Sequence, residues 1–207
     1  MKNLTASLST SKAAMVVGIA FITSVLIVSL VDDVLLANFV VPGDTAALSK
    51  DIEANRTLFV FAVVGYLLVL ALDSIIGLAL YVVLKPANKK FALLTAVLRL
   101  LYVCILVSGL LALVFQFIDV YGYASIKLFG YVFFALHIFI LGYTVFNSGY
   151  IPKIIGILLI LASFTYIIFF VDLDLSEFLE VFIMLTMAIA EFSLSIWLLV
   201  KRNTLPK

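Results

Sequence analysis

The chain has 207 residues, 66% of them hydrophobic and 12% charged, with a formal net charge of +1 and a mean hydropathy of +1.32. A water-soluble domain keeps about a quarter of its residues charged to solvate its surface, so hydrocarbon is the expected solvent for most of this one. The near-zero net charge and the lack of a basic run argue against nucleic acid as a partner, and a single cysteine, Cys104, rules out an intrachain disulfide and reads as a small apolar filler.

Stretches of about 20 apolar residues cross a bilayer as helices. Six occur, at 13–35, 58–84, 91–115, 124–146, 153–171 and 179–200. The expected fold class is therefore all-α: a polytopic six-helix transmembrane bundle forming a single domain over residues 1–207. The first run follows Lys2 and Lys12 but is long for a signal sequence and lacks a small-x-small site, so it reads as a retained helix. Pro42-Gly43-Asp44 stops it. Asp44 is a candidate N-cap for a short amphipathic segment reaching Asn55, with Leu48 and Ile52 on one side. Lys85-Pro86 ends the second helix. Asn147-Ser148-Gly149 supplies a left-handed residue to close the fourth, and Pro152 suits the first turn of the fifth.

Loop charges set an orientation. With both termini in the cytoplasm, the inner segments hold Lys2, Lys12, Lys85, Lys89, Lys90, Lys153, Lys201, Arg202 and Lys207. The outer segments hold only Lys50 and Arg56 as bases, together with ten of the acids, Asp32 among them. The positive-inside rule counts the bases, and nine against two places both termini inside the plasma membrane. Lys127, near the outer end of the fourth helix, is expected to snorkel. Trp197, Tyr150, Tyr121 and Tyr123 fall near the interfaces, where amphipathic rings collect.

Four ionisable side chains remain within the spans: Asp73, Arg99, His137 and Glu191, on the second, third, fourth and sixth helices. They lie eight to eleven residues from the inner ends of those helices, a depth of roughly 12–17 Å. Helices running in alternating directions thus bring their ionisable groups to one layer in the cytoplasmic half. A lone charge at a helix centre costs about 2.5–3.5 kcal/mol on insertion scales, so the groups are expected to face one another inside the bundle. Asp73 and Arg99 share a tight hairpin and form the expected ion pair. His137 and Glu191 form the expected second pair. Two acids, one Arg and a protonated His sum to zero; with a neutral ring, the cluster keeps one negative charge unless an acid takes a proton. Helical spacing adds Tyr66 on the Asp73 face, Thr95 and Tyr102 beside Arg99, Thr144 beyond His137 and Ser195 after Glu191.

Specific chemistries fit less well. One histidine cannot build a multi-histidine zinc site, and Arg99 in the same layer repels a metal held by His137, Asp73 and Glu191, so no metal or other cofactor is expected. No c-type haem, Walker or dinucleotide motif is present. Ser195 and Ser148 meet His137 as nucleophile candidates only by helix phase. Open readings are a pocket that binds or senses a lipid or small amphiphile, a small proton-coupled carrier, and an intramembrane enzyme with His137 as general base. A polar network that only fixes helix register remains beside them. The lipid bilayer is the expected partner of the surface.

Four stretches carry a resemblance: VVPGDTAA (40–47), LDSIIGLALYVVLKPANKKFALLTAVLRL (72–100), YVFFALHIFILGYTVFNSGYIPKIIGILL (131–159) and AEFSLSIWLLVK (190–201). The chain resembles the prokaryotic multi-pass membrane proteins grouped as domain of unknown function 4386. The family pattern falls on Asp73, Arg99, His137 and Glu191. It implies a shared fold and membrane location and carries no activity. The resemblance also leads one to expect a polar residue in the fifth helix where Phe169 stands in TYIIFF.

Overall fold

A computed structural model of the chain describes residues 8–39, 45–171 and 175–206. Seven α-helices follow one another: α1 (Thr10–Phe39), α2 (Thr45–Ala54), α3 (Arg56–Leu84), α4 (Lys89–Val114), α5 (Val120–Phe146), α6 (Lys153–Val171) and α7 (Glu177–Lys201), then a 3-10 turn over Arg202–Thr204. There is no strand among the described residues. Five helices, α1, α3, α4, α5 and α7, are long and apolar enough to cross a membrane. The chain is a multi-pass helical membrane protein. Pro42-Gly43-Asp44, Asp172 and Asp174 lie outside the described residues, as do the side chains of Leu48 and Phe169.

Capping explains why several helices begin before their hydropathy rises. The Asn88 side chain accepts the backbone N–H groups of Lys90 and Phe91 at 3.0 and 3.1 Å, which starts α4 at two lysines. Asp119 accepts the N–H of Gly122 at 2.7 Å and starts α5 at Val120. The expected left-handed residue after α5 is Gly149, at φ 76. α4 closes in a similar way, but on Gln116 at φ 58, with the N–H of Phe117 reaching back to the carbonyl of Ala112 at 2.8 Å.

The six longer helices pack as a ring in chain order. α1 lies against α3, α3 against α4, α4 against α5, α5 against α6 and α6 against α7, and α7 returns to α1. Tight turns make sequence neighbours spatial neighbours, which produces this order. Small residues set the closest approaches. A Cβ on Gly142 of α5 would lie 2.8 Å from the carbonyl oxygen of Gly156 on α6. One on Gly18 of α1 would lie 2.8 Å from the carbonyl oxygen of Ser195 on α7. α2 leans on α1 and α3, and Ile52 packs on the core.

Ser11 donates to Asn203 at 3.0 Å, so the start of α1 and the end of α7 share one end of the ring. Tyr150, in the α5–α6 turn, donates to the carbonyl of Val83 at 2.8 Å and ties that turn to the end of α3. Burial pushes its hydroxyl up to about 12, which keeps it a donor at neutral pH. This is the terminal end; the other is the far end. The outward surface is apolar, with Leu26, Leu68, Leu78, Phe164 and Ile189 exposed. Cys104 is also exposed there rather than filling a gap between helices.

Candidate functional site

Asp73, Arg99, His137 and Glu191 lie nine to eleven residues from the terminal-end limits of their helices, at Leu84, Lys89, Phe146 and Lys201, or about 14–17 Å deep. All four are buried. Arg99 is the hub. Its Nη2 meets Asp73 Oδ1 at 2.5 Å, the ion pair expected of the hairpin. Its Nη1 lies 3.2 Å from His137 Nε2. Its guanidinium carbon sits 5.1 Å from the centre of the Phe134 ring. His137 Nδ1 lies 2.8 Å from the carbonyl oxygen of Thr95. A carbonyl can only accept, so Nδ1 carries the proton and Nε2 is left to accept from Arg99. The contacts therefore select a neutral ring in the Nδ1–H tautomer.

The expected His137–Glu191 pair does not form. In the ring, α5 has α4 and α6 as its main neighbours, while α7 lies beyond α6. His137 accordingly turns to α4, and Glu191 accepts a hydrogen bond from Tyr166 of α6. Sequence reasoning did not single out Tyr166. Its signal was a lone hydroxyl ring in an apolar helix, TYIIFF.

The supporting residues divide. Thr95 meets His137 through its backbone, and its own hydroxyl has no hydrogen-bond partner among the described residues. Tyr102 packs against Phe134 with ring centres 4.8 Å apart. Tyr66 does not reach Asp73. It donates instead to Asp32, toward the far end. Asp32 lies within α1 rather than in an outer segment, and Lys127 pairs with it at 3.0 Å instead of snorkelling. Tyr123 is buried against Tyr66, with ring centres 5.3 Å apart, rather than standing at an interface. Thr144 bonds back to the carbonyl of Ile140 at 2.7 Å and lines a separate small cleft with Asn88 and Asn147. Ser195 is buried at the α1–α7 contact, where its carbonyl faces Gly18.

A cavity of about 390 Å³ connects the two polar layers inside the ring. Asp32, Asp73, Arg99 and Glu191 all reach its wall. Tyr102, Tyr131, Phe134 and Tyr166 form a continuous aromatic side of it, with successive ring centres 4.8–6.4 Å apart. Near the terminal end, α1 and α7 are locked by Gly18 against Leu199 and by Phe21 against Phe192, ring centres 5.3 Å apart. Beyond that lock, exposed Ser29 of α1 and exposed Met184 of α7 line the same cavity. The cavity therefore opens sideways between these two helices. His137 does not reach its wall and is fully buried, so the geometry offers no route for a substrate to that ring. No group of three His, Cys, Asp or Glu side chains lies at metal-binding spacing among the described residues.

No solved structure matches the chain. A protein of Archaeoglobus fulgidus, described as an uncharacterized protein, is 37% identical over 109 residues. That stretch covers 53% of this chain and 65% of the relative, just under two thirds of its length. A family model described as Domain of unknown function (DUF4386) matches residues 16–118 and 112–201, nearly the whole chain and all four ionisable positions of the buried layer. The chain belongs to the DUF4386 family.

Proposed function

We propose that this protein is a six-span plasma-membrane protein with both termini in the cytoplasm, and that its central cavity binds a lipid or small amphiphile drawn sideways from the bilayer. The observation that carries the binding role is the cavity of about 390 Å³, which reaches four ionisable side chains and opens past Ser29 and Met184 toward the lipid-facing surface. Ligand sites are concave, mostly apolar and furnished with a few convergent polar groups, and this cavity has each of these properties. α6 serves as the sixth span. Its 19 residues rise about 28 Å, close to the thickness of the hydrocarbon core. The orientation rests on the loop bases, of which, among the described residues, seven stand at the terminal end against two at the far end.

Photolabelling tests the binding role. The protein in phosphatidylcholine nanodiscs is irradiated with an alkyl-diazirine amphiphile, and labelled peptides are mapped. The expected labels concentrate on Val28, Met184 and Met187 and fall at least fivefold when Ala188→Trp fills the opening. Even labelling around the outer surface, unchanged in that variant, refutes the site.

A further inference from the structure

The cavity wall carries an unbalanced set of charges. Asp73 is held by Arg99 at 2.5 Å, and Asp32 by Lys127 at 3.0 Å. Glu191 takes its hydrogen bond from the hydroxyl of Tyr166, a neutral donor; Arg99 attracts it from farther off, and it forms no direct ion pair among the described residues. It is nine-tenths buried at the cavity wall. The one base on the same wall, Arg99, is already engaged by Asp73 and His137. A carboxylate in low dielectric is neutralised by a proton or by a positive partner, and with both wall ion pairs already made, a partner for Glu191 comes from within the cavity.

The surroundings of Glu191 specify the kind of cation. Rings of Tyr131, Tyr166 and Phe192 line the cavity beside it, with Tyr131 and Tyr166 centres 5.7 Å apart. Aromatic faces attract a cation whose charge is spread and weakly hydrated, as in an alkylammonium. A small metal ion would instead require several oxygen ligands, and the other two carboxylates on the wall are committed to Arg99 and Lys127. From Glu191 toward the opening, the wall turns to Met184, Met187, Ala188, Val25 and Val28, an adaptable apolar lining suited to a hydrocarbon body.

We infer that the ligand of this cavity is a lipophilic cation: its ammonium group lies against Glu191 and the neighbouring rings, and its apolar body points to the α1–α7 opening. The inference rests on the cavity being a binding site and adds the sign of the ligand's charge. Three probes sharing one phenylbutyl body separate the two claims: trimethyl(4-phenylbutyl)ammonium, 4-phenylbutanol and 4-phenylbutyrate. Each is titrated by calorimetry into protein-bearing phosphatidylcholine nanodiscs, with empty discs as the blank. The expected result is ammonium binding at least tenfold tighter than either of the others. Glu191→Gln keeps an acceptor for Tyr166, and unchanged thermal unfolding confirms its fold. In that variant the ammonium is expected to bind no more tightly than the alcohol. Equal binding of all three, preference for the carboxylate, or an ammonium preference that survives Glu191→Gln overturns the cation while leaving the cavity as a site. Binding of none of the three to the wild-type protein overturns both.

Discussion

Arg99 holds the polar layer together through three different contacts: a charge on α3, a ring nitrogen on α5 and an aromatic face below its guanidinium. Removing one partner of a buried pair strands the other without compensation, at a cost of about 3–5 kcal/mol. Asp73→Asn and Arg99→Gln are each expected to destabilise the protein on that scale. Because they share one interaction, the double variant should fall short of the sum by about 1–3 kcal/mol. Thermal unfolding in detergent of the four proteins measures this, and additive losses would show that the two are uncoupled. The shared depth of the four ionisable residues was legible in the sequence, because depth follows from counting residues along helices with recognisable ends. Their pairing was legible only for Asp73 and Arg99, which share one hairpin. For His137 and Glu191 it depended on which helices are neighbours and how each is rotated, and hydropathy reports neither. Asp32 was missed for a related reason. A carboxylate near a helix end looks like a loop charge until Tyr66 and Lys127 are known to face it.

At the scale of elements, the α5–α6 hairpin brings main chain closest to a glycine of the neighbouring helix. A Cβ on Gly156 would lie 2.7 Å from the backbone nitrogen of Phe146 and 2.8 Å from the carbonyl of Gly142, so the obstruction is main chain that cannot rotate away. Gly156→Val is therefore expected to lower stability by about 1–3 kcal/mol, read as a drop in Tm in detergent. An unchanged Tm would mean that the two helices do not approach so closely. The helices themselves were largely legible. Apolar runs longer than a bilayer's thickness have few alternatives, and Lys85-Pro86, Gly149 and Pro152 mark their limits. The limits drifted where caps overrode hydropathy: Asn88 carries α4 back to two lysines, and Asp119 starts α5 before its apolar run. The short helix after the first span was expected from Asp44 to Asn55 and is observed over Thr45–Ala54.

For the whole molecule, the proposed orientation can be read in intact cells. In a Cys104→Ser background, Lys90→Cys marks the terminal end and Phe117→Cys the far end. A membrane-impermeant maleimide is expected to label Phe117→Cys directly and Lys90→Cys only after permeabilisation. The reverse pattern would invert the protein in the membrane.

The ring order also dictates how the bundle assembles. Each helix leaving the insertion machinery finds its partner in the helix made just before it, so early contacts are local and cheap in loop-closure entropy. The junction of α1 and α7 is the exception: it joins the two ends of the chain and forms only when the last helix is in place. A nascent chain lacking α7 is an open fence of five long helices, with its polar layer unsealed and no Glu191. The cavity thus comes into being with the final helix, and the seam closed last in assembly is the one the finished molecule leaves ajar.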